Sequence, residues 1–304
     1  MWLSPRRLCC DVGVTAQDID GSALRAVAEE LAREAAAFVR HRRPQVFGRN
    51  GSDAADSTVR PKSTRTDPVT IVDTESERLL RDRLADLRPG DPVLGEEGGG
   101  PATERGDRTG SVTWVLDPID GTVNFVYGIP AYAVSVAAQV DGVSVAGAVA
   151  DVVAGRVYSA AVGRGAHVVD ANNERTPLQC NNIDDIAMAL VGTGFGYAPE
   201  RRAAQAAVLK DVLPAVRDVR RIGSAALDLC RVADGQLDAH YEHGLHVWDW
   251  AAGALIAAEA GALVHPPVTG DDAVTVAAAP GIAAALLGLL ERLGAVDTLP
   301  HVAS

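Results

Sequence analysis

Apolar residues recur at helical spacing from Ser22 to Arg43, where Leu24, Val27, Leu31, Ala35, Phe38 and Val39 predict an amphipathic first helix. Residues 44–66 lose that pattern, carry Gly, Ser and Asp, and read as a loop. A second helix is predicted after Asp73, where Thr74-Glu75-Ser76-Glu77 has a capping-box pattern ahead of Leu79, Leu80, Leu84 and Leu87. Pro92 to Glu97 reads as a short strand running into the turn Gly98–Gly100. The period then shortens: Val112, Trp114, Val115 and Leu116 predict a buried strand that ends on acidic residues. Ala133–Val140 and Val143–Asp151 flank Asp141-Gly142, a hairpin signal, and Arg156–Ala161 and Gly165–Val169 predict further strands.

Beyond residue 185 strands and helices alternate. Leu190–Phe195, Leu237–Glu242 and Val274–Ala278 read as strands; Glu200–Leu213, Ser224–Ala233, Trp248–Ala260 and a segment from Gly281 read as helices. The order predicts an α+β part over 22–185 and an α/β part over 186–304, joined as one continuous unit of alternating layers. Residues 1–21 read as a flexible extension without a function.

A chain of 304 residues supports two modest cores or one large layered one, and with only 4% aromatics that core must rest on Ala, Val and Leu. The net charge of −12 argues against a nucleic-acid partner, which needs a basic face. No window is apolar and long enough for a signal peptide or membrane span. Cys9, Cys10, Cys180 and Cys230 form no C-x-x-C pair and no zinc spacing, so free thiols in a cytoplasmic setting are expected.

Residues 114–125 read Trp-Val-Leu-Asp-Pro-Ile-Asp-Gly-Thr-Val-Asn-Phe. Asp117 and Asp120, at the carboxyl end of a strand, can share hard cations, and the Gly121-Thr122 turn offers N–H groups and a hydroxyl to an anion. A calcium-binding EF-hand starting at Asp117 fails, because its third position is Ile119 and its twelfth is Gly128. A covalent aspartyl-phosphate route needs Asp-x-Asp-Gly-Thr, and Pro118 stands where the attacking Asp belongs, which leaves water as the nucleophile. Glu96, Glu97, Asp73 and Asp249 extend the acidic set; crowded carboxylates repel unless a cation sits between them. His240, His243 and His246 fall partly on a predicted strand, which favours structural roles over a metal site, and Arg220-Arg221 reads as a structural or interface pair.

Gly95-Glu96-Glu97-Gly98, Trp114–Phe125, Gly223-Ser224-Ala225-Ala226 and Glu242-His-Gly-Leu-His-Val-Trp248-Asp249, with Lys62 through Asp73, resemble the motifs of the inositol monophosphatase family over residues 22–293. The resemblance implies a layered αβαβα sandwich and hydrolysis of inositol monophosphate with two to three Mg²⁺ ions. It implies that Glu96, Asp117 and the Ile119 carbonyl hold one ion and that Asp117, Asp120 and Asp249 hold another, with Glu96 also serving a weaker third. Thr122, oriented by Asp73, would position the attacking water beside Glu96, and the Gly121 and Thr122 N–H groups would grip phosphate. Glu242 and Ala225 would meet the substrate ring, and Lys62 would move with metal binding. The same resemblance implies lithium inhibition and a homodimer. Rival substrates are fructose 1,6-bisphosphate, histidinol phosphate and 3′-phosphoadenosine 5′-phosphate; a rival of another class is a non-catalytic regulatory or binding subunit.

Overall fold

The computed structural model describes residues 20–48, 59–62, 68–100, 110–266, 273–296 and 299. The first twenty-one residues named above as an extension fall almost wholly outside that set, as do Ser63 to Asp67. Helix α1 (Gly21–Phe47) is capped by Asp20, whose carboxylate accepts the N–H groups of Ser22 and Ala23 at 3.1 Å. It continues through Pro44, past the predicted end at Arg43. Arg43 donates to the Phe125 carbonyl at 2.8 Å and Phe47 is fully buried, so tertiary contacts hold the turn that Pro44 weakens.

Strand β1 (Val59–Pro61) lies within the segment that reads as loop and pairs antiparallel with β2 (Pro68–Thr70) just beyond it; three residues are too few to show a period. Helix α2 (Ile71–Leu87) follows β2 directly. Its cap is therefore Thr70 with Asp73 as the reciprocal partner, and the Thr74–Glu77 pattern lies inside the helix. That shift buries Asp73 and Glu77.

Seven strands form one sheet in chain order: β3 (Val93–Gly95), β4 (Val112–Asp120), β5 (Ala133–Val140), β6 (Val143–Asp151), β7 (Arg156–Ala161), β8 (Ala166–Val169) and β9 (Arg175–Pro177). Only β3–β4 is parallel. Asp141 (φ 50°) and Gly142 (φ 79°) make the tight turn that the hairpin signal predicts. A short helix, α3 (Thr122–Tyr127), leaves the end of β4.

The second sheet comprises β10 (Leu190–Thr193), β11 (Asp218–Arg220), β12 (Ala239–His243), β13 (Leu263–His265) and β14 (Val274–Ala278), in the order β11-β10-β12-β14-β13. Around it run α4 (Pro199–Val212), α5 (Ala225–Ala233), α6 (Val247–Glu259) and α7 (Pro280–Arg292). The three-residue strands β9, β11 and β13 carry no readable period.

Alternation along β4 sorts the layers. Trp114 and Leu116 face α1 and α2, packing with Leu31 and Leu80, while Val115 faces the opposite side with Leu227 of α5 and Ile256 of α6. The far faces of α5 and α6 bury Leu229 and Ala258 against Val264 and Ala277 of the second sheet. Its other face is covered by Val212 of α4 and Leu286 of α7 over Val191 and Val276. The result is the αβαβα sandwich. A Cβ built on Gly147 of β6 would lie 3.1 Å from Ala252 Cα, so the glycine lets α6 approach the sheet at backbone distance. Small residues thus replace the aromatics that the composition lacks.

Candidate active site

Asp117 and Asp120 stand three apart, a spacing that sends side chains to opposite faces of a regular strand. The strand is not regular there: Asp117 pairs with Ser135 and Asp120 with Ala133, so that two residues of β4, Pro118 and Ile119, stand between the pairs against one of β5, Val134. This bulge brings both carboxylates to one face. Asp249 joins them from the first turn of α6, and one carboxylate oxygen from each of the three lies within 4.8 Å of the others. Ser135 carries the alignment, since its Oγ donates to the Trp248 carbonyl at 3.3 Å while its own Cα pairs with Asp117.

Each carboxylate is fixed. Asp117 Oδ1 accepts the Ile119 N–H at 3.0 Å. Asp120 Oδ2 accepts the Ala226 N–H at 2.8 Å and the Ser224 hydroxyl, which ties it to the start of α5. Asp249 Oδ2 accepts the His246 N–H at 2.7 Å, closing a capping box.

Glu96 follows β3, whose register sets Gly95 beside Leu116, and its N–H donates to the Leu116 carbonyl at 3.2 Å. Lys62 Nζ lies 2.8 Å from Glu96 Oε1 and 2.9 Å from Glu97 Oε1. Asp73 accepts the Thr70 N–H at 3.0 Å and the Thr70 hydroxyl on Oδ2, and the Thr122 hydroxyl at 3.1 Å on Oδ1. The Thr122 Oγ is also 3.0 Å from the Ile119 carbonyl, so its single proton chooses between two acceptors. Gly121 adopts φ 91°, and a Cβ there would lie 3.0 Å from the Gly223 carbonyl, so this position is closed to any side chain.

Burial pushes Asp117 well above the usual carboxylate range, and the charges of Glu96, Asp120 and Asp249 add to it. Burial and the Glu96 and Asp120 charges raise Asp249 in the same way. Burial lifts Asp120 to about 6, against the lowering effect of its bonds from Ser224 and Ala226. Burial, despite the Thr70 bonds, brings Asp73 to about 7. An all-oxygen donor set whose members repel one another suits a hard divalent cation, which would relieve that repulsion.

Ala225 opens α5 and is buried, and Glu242 lies on β12 with its side chain 14% exposed. A Cβ on Gly194 would fall 2.0 Å from Glu242 Oε1, so that glycine makes the room in which the carboxylate stands. Burial, together with Asp228, raises Glu242 to about 8. The histidines do not converge: His243 is bonded to the Ala295 carbonyl at 2.7 Å, His246 stacks on Trp248, and His240 lies buried between Asp228 and Glu242. Arg220 pairs with Asp218 at 2.5 Å, and the described cysteines, Cys180 and Cys230, are free.

Two features escape a reading of the sequence. The bulge is invisible to periodicity. Glu77 of α2 accepts the N–H groups of Glu97 and Gly98, a role signalled only by glycines at 95 and 98, where a Cβ would lie 2.4 and 2.7 Å from its Oε1.

Among the described residues no helix is long and apolar enough to cross a membrane. Residues 20–296 match the sequence profile of the inositol monophosphatase family. The chain is 68% identical over 283 residues to an inositol-1-monophosphatase of Mycobacterium leprae, covering 92% of this chain and 97% of that protein. It is 62% identical over 290 residues to the inositol-1-monophosphatase SuhB of Mycobacterium tuberculosis H37Rv, covering 94% and 100%. Its fold superposes on the solved structure of Mycobacterium tuberculosis SuhB with a TM-score of 0.76 and 59% identity, over 91% of this chain and 98% of that one. With two buried carboxylates and one half-buried one gathered by one strand bulge and one helix start, and a match along nearly its whole length, the chain belongs to the inositol monophosphatase family.

Proposed function

We propose that this chain is a metal-dependent phosphomonoesterase that hydrolyses inositol monophosphate to inositol and phosphate. The observation that carries the reading is the convergence of Asp117, Asp120 and Asp249 beside the Thr122–Asp73 hydrogen bond. The names of the mycobacterial relatives support the substrate. When bound, two to three Mg²⁺ ions supply charge neutralisation for the phosphate and the leaving alkoxide, and acidify water.

In this reading Glu96, Asp117 and the Ile119 carbonyl would hold one ion, and Asp117, Asp120 and Asp249 would hold another. Asp73 accepts the Thr122 proton, which leaves the Thr122 oxygen free to accept a hydrogen bond from the attacking water. Glu96 takes a proton from that water as its oxygen bonds phosphorus and the ester P–O bond breaks, and one proton is returned to the leaving alkoxide, giving inositol and phosphate. The N–H groups of Gly121 and Thr122 point to the phosphate oxygens, and Ala225 and Glu242 meet the ring of the alcohol. Lithium inhibition, a homodimer and a cytoplasmic location complete the proposal by family likeness.

A kcat/KM panel with and without Mg²⁺ tests it, using inositol 1-phosphate, fructose 1,6-bisphosphate, histidinol phosphate and 3′-phosphoadenosine 5′-phosphate. Highest efficiency with inositol 1-phosphate and none without the metal is expected. A clear preference for another ester would replace the substrate while keeping the chemistry.

A further inference from the structure

His240 and Glu242 sit at alternate positions of β12 and share one face of the second sheet. The His240 Nε2 lies 3.6 Å from Glu242 Oε2, and its Nδ1 lies 3.7 Å from Asp228 Oδ2 on α5. Both distances are a few tenths of an ångström beyond direct hydrogen bonds. The ring is fully buried, and neither nitrogen has a hydrogen-bond partner among the described residues. Two buried ring nitrogens, each aimed at a carboxyl, call for a function.

The neighbouring strand is cut away to hold this row. Gly192 of β10 pairs with His240, and a Cβ there would fall 3.1 Å from the His240 Nδ1. A Cβ on Gly194 would strike the Glu242 carboxyl. On the far side, Arg231 Nη1 donates to Asp228 Oδ1 at 3.3 Å.

We propose that His240 is a positioning residue for Glu242: Asp228 fixes the ring tautomer, Nε2 holds Oε2, and Oε1 is left to accept a substrate hydroxyl. The inference rests on the reading that Glu242 faces the substrate ring.

A neutral imidazole has one donor and one acceptor, so the row has a direction. Burial drives His240 down to about 3, so the ring is neutral. Burial raises Asp228 to about 7, with the Arg231 charge working against it, and raises Glu242 to about 8. The charge of Arg221 lowers both carboxyls and that of Asp120 raises both. The arrangement without an uncompensated buried charge runs from Arg231 to ionised Asp228, to Nδ1–H, and from the acid proton of Glu242 back to Nε2. This orients the Glu242 carboxyl without moving any proton off the row.

The test compares inositol 1-phosphate with p-nitrophenyl phosphate, which has no ring hydroxyls, in the wild type and in His240→Phe, His240→Gln and Glu242→Leu. His240→Phe should lower the ratio of kcat/KM for inositol 1-phosphate over p-nitrophenyl phosphate by about tenfold, mainly through KM. Glutamine, which keeps a donor and an acceptor, should recover most of that ratio. The ¹⁵N NMR shifts of His240 in the wild type should show a protonated Nδ1 and a bare Nε2, a signature that needs no folded variant. An unchanged ratio in folded His240→Phe while Glu242→Leu lowers it, or a protonated Nε2, overturns the positioning role. An unchanged ratio in folded Glu242→Leu overturns the reading of Glu242 itself, and the inference with it.

Discussion

Glu77 clamps the backbone at Glu97: its Oε2 accepts the Glu97 N–H at 2.7 Å and its Oε1 accepts the Gly98 N–H at 2.8 Å. Arg81, one turn later on α2, donates to the same Oε1 at 2.7 Å and to the Gly99 carbonyl at 2.5 Å. The helix thereby fixes the loop that presents Glu96. Glu77→Ala strands two amides and a guanidinium, which should cost about 2–3 kcal/mol of stability. It should also raise the Mg²⁺ concentration needed for half-maximal turnover by about 10–100-fold, the usual effect of losing a group that orients a ligand. Denaturant unfolding and a Mg²⁺ titration of activity measure the two effects separately. An unstable variant with an unaltered Mg²⁺ requirement would confine Glu77 to a structural role.

Asp117 has three acidic neighbours, and burial together with Glu96, Asp120 and Asp249 keeps its pKa high. Asp117→Asn removes a ligand from both proposed ions, so turnover should fall by about 10³-fold or more. The metal-free protein should respond in the opposite sense. Asparagine relieves like-charge repulsion, so the variant should melt above the wild type in chelator and gain less from added Mg²⁺. Melting curves with and without Mg²⁺ decide this; a variant that melts lower in both would mean that Asp117 is held chiefly by its bond to the Ile119 N–H.

Much of this site is legible in the sequence because its parts are local. Asp117-Pro-Ile-Asp-Gly-Thr122 is one segment, and the apolar run before it announces the strand that carries it. The layer order follows from elements long enough to show a period, such as α1 and the β5–β6 hairpin. What stays hidden is set by pairing between distant segments. Thr70 becomes the cap of α2 because β2 ends there, a fact of the β1–β2 pairing rather than of local propensity. The bulge that turns Asp117 and Asp120 to one face exists only against Ser135 and Ala133. Asp228 carries no signal in sequence and His240 reads there as a structural histidine, and only the pairing of β10 with β12 and the packing of α5 bring them together.

A buried charge cluster on the α1 side should dominate the acid limb of stability. Glu29 accepts the Ser159 hydroxyl at 2.7 Å, with His167 Nε2 at 2.9 Å and Arg175 at 3.2 Å. Ser159 and Glu29 both meet Nε2 of the histidine, so the trio lacks the relay of a hydrolytic triad and serves to join α1 to β7, β8 and β9. Burial disfavours the charged carboxyl, but the bonds from His167 and Ser159 and the Arg175 charge prevail and hold it at about 2. The folded pKa lies below the unfolded one, so the stabilisation is complete above about pH 5 and drains as pH falls towards 2, for a total of about 3 kcal/mol. Denaturant unfolding at several pH values in that window should show stability falling with pH in the wild type. Glu29→Gln should be less stable at neutral pH and should flatten that slope. A variant with the wild-type slope would locate the acid sensitivity elsewhere.

Lys62 and the proposed first metal ion contend for one carboxylate. The ammonium is 2.8 Å from Glu96 Oε1, and the Glu96 charge and the bonds to Glu96 and Glu97 raise its pKa although burial opposes them. A tethered cation offsets part of the repulsion around Glu96 in the metal-free protein, and an incoming ion must take over that carboxylate. Lys62→Met should therefore lower the melting temperature in chelator while tightening metal binding by about tenfold, because the free state loses more than the bound state. Calorimetric titration with Mg²⁺ and melting in chelator read the two sides of this linkage. Weaker metal binding in the variant would reverse the assignment, making Lys62 a support of the loaded site rather than a stand-in for its ion.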